Sequence, residues 1–213
     1  MRKIKTIVAI SIATLFMYGC EIIEEEDEIN TPIEYSGDFT DNRDNNTYKW
    51  VRIGNQVWMA ENLAFKANGG GCWAYDANTS NVTTHGYLYD WTAAMSAVPE
   101  GWHLPTDAEW LELVDYLSNN GYTDSEGFAL KSTFGWFQDG NGDNAFGFNA
   151  LPSGLRNAYG VYMYKGETTM WYSSSEEGNY GAWVWRIGYL SSYISSNDYS
   201  YARGCSVRCI KNN

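Results

Sequence analysis

The stretch that most constrains this chain is residues 171–209, WYSSSEEGNYGAWVWRIGYLSSYISSNDYSYARGCSVRC. Tyr, Trp, Ser, Gly and Asn fill almost all of it, a composition that suits short strands and long loops rather than a helix bundle. Within it Trp183, Trp185, Ile187 and Tyr189 alternate with Val184, Arg186, Gly188 and Leu190, the period of a strand with two chemically distinct faces. The composition is also that of a recognition surface. Tyr and Trp give large rigid contact area with few rotors to freeze, and Ser, Gly and Asn give adaptable hydrogen bonding.

The chain as a whole has 213 residues, room for a leader, a tether and one domain with a real core. Ten Trp and seventeen Tyr make it too apolar for disorder and suit strands stapled by large side chains. Residues 1–19 read as a secretory leader: Arg2, Lys3 and Lys5 form a basic start, an apolar run follows, and Gly19 precedes Cys20. The run is too short to span a bilayer comfortably, which takes about 20 apolar residues. A Cys in this place resembles the bacterial lipobox, with Met17 and Tyr18 departing from its usual residues, and implies lipidation at Cys20. Loss of the three cations moves the formal charge from −12 to −15. Such an acidic chain repels nucleic acid and anionic lipid, so membrane contact is expected through the lipid alone.

Residues 20–40 carry the acidic run EIIEEEDE and read as a solvated tether. Acidic residues just after a lipidated Cys also resemble the surface-export signals of Bacteroidota lipoproteins. The domain is expected over residues 41–213. Tyr48 and Ile53 bound one strand and Gln56 and Met59 another, with Gly54-Asn55 between them as a tight hairpin turn. A short helix is expected from Trp91 to Ala97. In Leu104-Pro105-Thr106-Asp107-Ala108-Glu109-Trp110, Thr106 and Glu109 form a capping box that starts a second helix. Trp110, Leu113, Val114 and Leu117 give that helix its apolar stripe, and Asn119-Asn120-Gly121 ends it. Gly127 to Leu130 suggest one further helical turn.

These landmarks resemble, in order, the Fibrobacter succinogenes major paralogous domain: NTYKWVRIGNQVWMAENL (46–63), CWAYD (72–76), GYLYDWTAAM (86–95), GWHLPTDAEW (101–110), GFNALPSGLR (147–156), WYSSSE (171–176) and GCSVRC (204–209). The resemblance implies an α+β, C-type-lectin-like domain close in layout to the formylglycine-generating enzymes. It would have two helices, a small antiparallel sheet and a long loop region carrying ligand contacts. The capped helix would pack under the sheet, and GCSVRC would form a closing strand beside the N-terminal hairpin. Fold does not give function, so the site is argued from residues.

With Cys20 lipidated, Cys72, Cys205 and Cys209 remain, enough for one disulfide and one free thiol. Relatives carry Cys where this chain has Val98 and Phe where it has Cys205. Cys205 is therefore either a packing thiol or a replacement partner, and Cys72 is expected to pair with Cys205 or Cys209. A Cys205–Cys209 bridge along one strand is disfavoured by distance. Cys205 and Cys209 fall on the closing strand, so formylglycine-generating chemistry is not expected. Asp139, Asn141 and Asp143 alternate as calcium ligands do, yet Asn144 and Ala150 stand where an EF-hand needs Gly and Glu, and a surface turn explains them better. The Glu-Pro-Asn type of sugar-binding lectin signature is absent. His85 and His103 lie in no recognisable nucleophile motif, and no glycosidase carboxylate pair stands out.

The sequence therefore points to a non-catalytic, monomeric, surface-exposed lipoprotein of the outer membrane. Its ligand would be a protein or a glycan, bound without a cofactor, with calcium left open as the one alternative. Trp183, Trp185, Tyr189, Tyr193, Tyr199 and Tyr201 are the expected anchors, with Ser192, Asn197 and Asp198 tuning polar contacts. The mixture over residues 183–203 also suits the variable region of lectin-like lipoproteins diversified by retroelements, with GCSVRC as its fixed end. A structural or adhesin role in a surface assembly is the main alternative.

Overall fold

Gly54 and Asn55 do reverse the chain, joining β2 (Asn46–Ile53) to β3 (Gln56–Met59) with Ile53 opposite Gln56. Gly54 has φ +61°, and a Cβ there would also lie 2.8 Å from the Tyr116 ring, so only glycine fits. The computed structural model describes residues 35–179 and 181–212, a mixed α/β unit with few helices and small antiparallel sheets. Cys20, the leader and most of the tether lie outside the described residues. Among the described residues no helix is long and apolar enough to cross a membrane.

One strand precedes the expected hairpin. Strand β1 (Ser36–Asp41) pairs along its whole length with β2, so the sheet begins inside the stretch read as tether. Its sequence SGDFTD has one large apolar residue, Phe39, which stacks on Trp102 at 4.4 Å and on Tyr48 at 5.3 Å. That single anchor is why the strand is hard to read from sequence. After β3 come β4 (Cys72–Trp73), the one-turn α1 (Val82–His85), β5 (Leu88–Tyr89), α2 (Trp91–Ala97), β6 (Trp102–His103), α3 (Asp107–Leu117) and α4 (Glu126–Leu130). The chain continues through β7 (Leu155–Arg156), β8 (Tyr162–Met163), β9 (Thr168–Glu177), β10 (Gly181–Gly188), β11 (Ser195–Ser200) and β12 (Ile210–Lys211). One sheet runs β1-β2-β3-β12-β6 and another β11-β10-β9, while β4-β5 and β7-β8 are separate ribbons.

The helices start where capping chemistry predicts. Asp90 accepts the Ala93 amide to open α2, and at α3 both halves of the Thr106–Glu109 capping box form. Trp110, Leu113 and Leu117 turn inward, with Val114 half-buried beside them. Trp110 then sits in an aromatic cluster: Trp58 lies at 4.7 Å, Trp171 at 5.7 Å, Trp185 at 5.8 Å and Phe148 at 6.1 Å. Helix, hairpin and the β9-β10 pair thus share one core. A second core gathers Tyr48, Trp50, Met59, Leu63, Tyr89, Tyr172, Val184, Val207 and the thiols of Cys205 and Cys209.

Residues 204–210 are buried and stitch the two halves together. Gly204 exchanges both backbone bonds with Arg156, Cys205 does so with Tyr89, and Ser206 donates to Met170. Cys209 accepts from Met59, and Ile210 lies between Trp58 and His103. The closing strand therefore does lie beside the N-terminal hairpin. Asn62 fastens the same region: its Oδ1 accepts from Trp171 Nε1 at 2.9 Å and from Arg208 Nη2 at 2.9 Å, and its Nδ2 donates to Ser153 Oγ at 2.9 Å.

The expected disulfide is not formed: Cys72, Cys205 and Cys209 are all free. Cys72 pairs with Tyr89, and Tyr89 bridges Cys205 on its other side. Two ladder spacings of about 4.8 Å each put Cys72 and Cys205 well beyond the 4.4–6.8 Å Cα separation a disulfide needs. Cys205 is the packing thiol.

Candidate functional site

The closing third divides into scaffold and surface more sharply than its composition suggests. Strand β10 is buried on both faces: Ala182 and Val184 join one core, Trp185 and Ile187 the other. Trp185 is 3% exposed, lies nearly parallel to Trp110 at 16°, and donates Nε1–H to Asp107 Oδ1 at 2.8 Å. It is a core residue, not a ligand anchor. Trp183 is half-buried, opposite Asp198 of β11, at the irregularity where the β9 register shifts. That shift loops out Ser173, Ser174 and Ser175, whose polarity is spent inside the fold. Ser175 Oγ accepts the Asp107 amide, Ser174 N–H donates to Pro105, and the Ser173 carbonyl accepts Trp91 Nε1.

Beyond β10 the remaining expected residues fall into two groups. Tyr189 and Tyr193 line a cleft of about 490 Å³ together with Tyr164, Glu167, Thr168, Met170, Arg186, Gly188, Leu190 and Ser191. Leu190 is 81% exposed, Tyr193 56% and Tyr164 49%. Asn197, Asp198, Tyr199 and Tyr201 lie toward the other end of the hairpin, where Asp198 opposes Trp183 and Ser200 opposes Gly181. The groups follow one another along the β10-β11 pair, with Gly188 of the first and Trp183 of the second five steps or roughly 17 Å apart. They do not form one site.

The second group is partly structural. Tyr201 packs its ring on Trp91 at 4.8 Å and donates Oη–H to Glu176 at 3.2 Å. Tyr199 lies under the Arg203 guanidinium at 4.2 Å, and both tyrosines pack against the core. Tyr172 Oη sits 3.0 Å from the Ser200 and Arg203 carbonyls and pins the turn. Asn197 accepts the Asp198 amide, so its side chain shapes its own strand.

The cleft, by contrast, has a fixed wall and an open apolar rim. Buried Lys131 donates Nζ–H to the carbonyls of Tyr189 at 3.1 Å and Ser191 at 2.7 Å, holding the loop after β10 in one shape. Burial pulls its ammonium down to about 8. Ser192 Oγ–H donates to the Asp124 carbonyl at 2.9 Å, a second fastening of the loop, and Phe137 meets the Tyr189 ring edge-on at 5.5 Å. Ser192 is therefore a loop anchor. The sequence reading missed Tyr164, Glu167, Met170 and Leu190. For Leu190 the signal was present, an apolar residue just past the strand, but Tyr164 carries none: it comes from the β8-β9 turn, with φ +63°.

Two residues of the possible calcium loop spend side-chain oxygens inside the fold. Asn141 Oδ1 accepts the Trp136 amide at 3.1 Å, and Asp143 takes the Tyr122 hydroxyl at 2.7 Å and the Ala145 amide at 3.2 Å. Asn141 and Asp143 thus serve as turn residues, and Asp139 stands before them with φ +57°. Both histidines are also tied into the fold. His103 bonds Glu109 at 2.8 Å and Asn212 at 2.7 Å. His85 Nδ1 lies 3.5 Å from Ser153 Oγ, a pairing the sequence did not suggest. That serine is 1% exposed, accepts from Asn62 and donates to main-chain carbonyls, so no substrate reaches it.

The Fibrobacter succinogenes major domain model matches residues 51–211. Neither curated proteins nor solved structures show a significant match. The chain belongs to the Fibrobacter succinogenes major domain family, as the ordered motifs implied.

Proposed function

We propose that this family member is a lipid-anchored surface protein whose lectin-like domain binds a protein or glycan, without chemistry, at the cleft edged by Tyr164, Tyr189, Leu190 and Tyr193. The observation that carries the reading is the exposure of Leu190 and Tyr193 on a loop that Lys131 holds from beneath. Large apolar side chains on a pre-shaped loop offer contact area at low entropic cost, as in recognition surfaces generally. A concave site with a few polar groups at its edge, here Glu167 and Arg186, suits an orienting contact as well. Cys20 lipidation and outer-membrane placement complete the proposal from the leader motif. Retroelement diversification would act on the exposed residues 190, 192, 193 and 196–198, which can change without disturbing either core. A near-identical template repeat beside the gene is its test.

Binding is tested with the full chain in detergent on glycan and protein arrays, followed by titration of any hit against Leu190→Ala/Tyr193→Ala. The double variant is expected to keep the parent's melting temperature and lose binding. Full binding by that variant refutes the cleft as the site. If binding instead disappears on changing Asn197 and Asp198, the adhesin-like edge of β11 is the better reading.

A further inference from the structure

Among the described residues, Arg208 is the one buried cation that also lines a cavity, whose walls share no residue with the cleft. It is 1% exposed and no carboxylate lies within ion-pair distance of it. Its partners are neutral: Asn62 Oδ1 and the carbonyls of Phe148 and Asn149. One of its five N–H groups, on Nη1, finds no acceptor among the described residues. Burial pulls the guanidinium down to about 9, and the Glu61 carboxylate opposes that only in part. A buried charge left uncompensated is costly, and an anion arriving beside it would recover part of that cost.

The cavity is about 280 Å³ and also carries Glu61, Asn62, Asn149, Thr83, Thr84, Val82, Ala64 and Leu151 on its walls. Glu61 accepts the Lys49 amide through Oε2 alone, at 3.1 Å, and makes no direct ion pair with Arg208. Two opposite charges thus line one small cavity without direct contact. Tyr48 presents no free ring face there, being buried with its hydroxyl on the Ala64 amide, so the stacking platform a sugar favours is missing.

We propose that this cavity is a second binding site, for a small zwitterion of the α-amino acid class. The ligand carboxylate would take the free Arg208 Nη1–H, its ammonium would sit against Glu61, and a short side chain would lie on Val82, Ala64 and Leu151. The size of the cavity sits at the lower end of small-molecule sites, about 300 Å³, and limits the occupant to one small molecule.

The test is a nitrogen–proton correlation titration of the detergent-solubilised full chain with L-alanine and L-leucine, with acetate, methylammonium and glycinamide as single-charge controls. Saturable shifts are expected at the amides of Ala64, Gly86 and Asn149 with the amino acids, and much weaker ones with each control. Glu61→Gln is expected to weaken binding about tenfold, the effect of roughly 1.4 kcal/mol. Thr84→Trp, at an exposed wall position, is expected to fill the cavity and abolish binding while the spectrum elsewhere stays that of the parent. No localised shift with any amino acid, equal binding of acetate, or parent-like binding by both variants overturns the proposal.

Discussion

Trp185 offers the sharpest test of how scaffold and surface are divided. It was expected to touch ligand, yet it stacks on Trp110 and bonds Asp107 at the first turn of α3. Trp185→Ala removes a buried indole from the larger aromatic cluster, and aromatic-to-alanine changes in cores cost about 3–5 kcal/mol. The lost Nε1–H bond adds about 1 kcal/mol, with Asp107 half-exposed and able to turn to water. Trp185→Phe keeps most of the ring and should lose only the bond and some area, about 1–2 kcal/mol. For a domain of this size each kcal/mol moves the melting temperature by about 2–4 °C. The alanine variant should therefore melt roughly 8–24 °C lower and the phenylalanine variant roughly 2–8 °C lower.

The assay is thermal and urea unfolding followed by near-ultraviolet circular dichroism, which reports the packed tryptophans directly. Tyr193→Ala serves as the surface control and should stay within about 0.5 kcal/mol of the parent. A Trp185→Ala variant that melts with the parent would refute the core assignment. So would a phenylalanine variant as damaged as the alanine one, because the ring would then be contributing nothing.

Thiol titration gives a second expectation: Cys205 and Cys209 should resist alkylation until the domain unfolds, since both are fully buried and burial pushes both thiols up, Cys205 to about 12. Half-buried Cys72 should react slowly in the native state, and early modification of all three would contradict the packing. Acid unfolding gives a third. Burial raises the Glu109 carboxyl, but the Thr106 amide and the His103 ring outweigh it and leave it below its ordinary value. Its stabilisation is thus complete above the unfolded carboxyl's pKa and is lost as pH falls through the lowered folded value. Glu109→Gln, which still serves a capping box, should cost little at neutral pH and flatten that acid limb in urea titrations; an unchanged limb would rule the group out as a contributor.

How much of this was legible depended on whether the cause was local. The Gly54-Asn55 turn, the α2 boundaries and the Thr106–Glu109 box follow from neighbours in sequence and were read residue by residue. Strand β1 was not, because its partner β2 supplies what SGDFTD lacks. The cysteines were misread for the same reason. Counting three thiols allows a bridge, and only the interposed Tyr89 strand forbids it. Of the cleft, Tyr189 and Tyr193 were legible by composition, whereas Tyr164 arrives from the β8-β9 turn and Met170 from β9, which the sequence does not place beside them.

Composition misled at Trp185 because a recognition surface and a polar-laced core use the same residue types. What separates them, buried Trp110 with its unpartnered Nε1–H excepted, is where the polar end of each aromatic side chain goes. Trp171 gives its Nε1–H to Asn62, Trp185 to Asp107 and Trp91 to the Ser173 carbonyl, and Tyr89 gives its hydroxyl to Phe65. Each of these aromatics is buried or half-buried with its donor satisfied inside the fold, as burial requires. The Tyr193 hydroxyl has no such partner among the described residues, although the backbone of Tyr193 is held by Ser191. A side chain whose polar end is unspent while its backbone is fixed is prepared for a contact from outside. By that criterion Tyr193 belongs to the surface, and Trp185, four positions before Tyr189 on the same hairpin, does not.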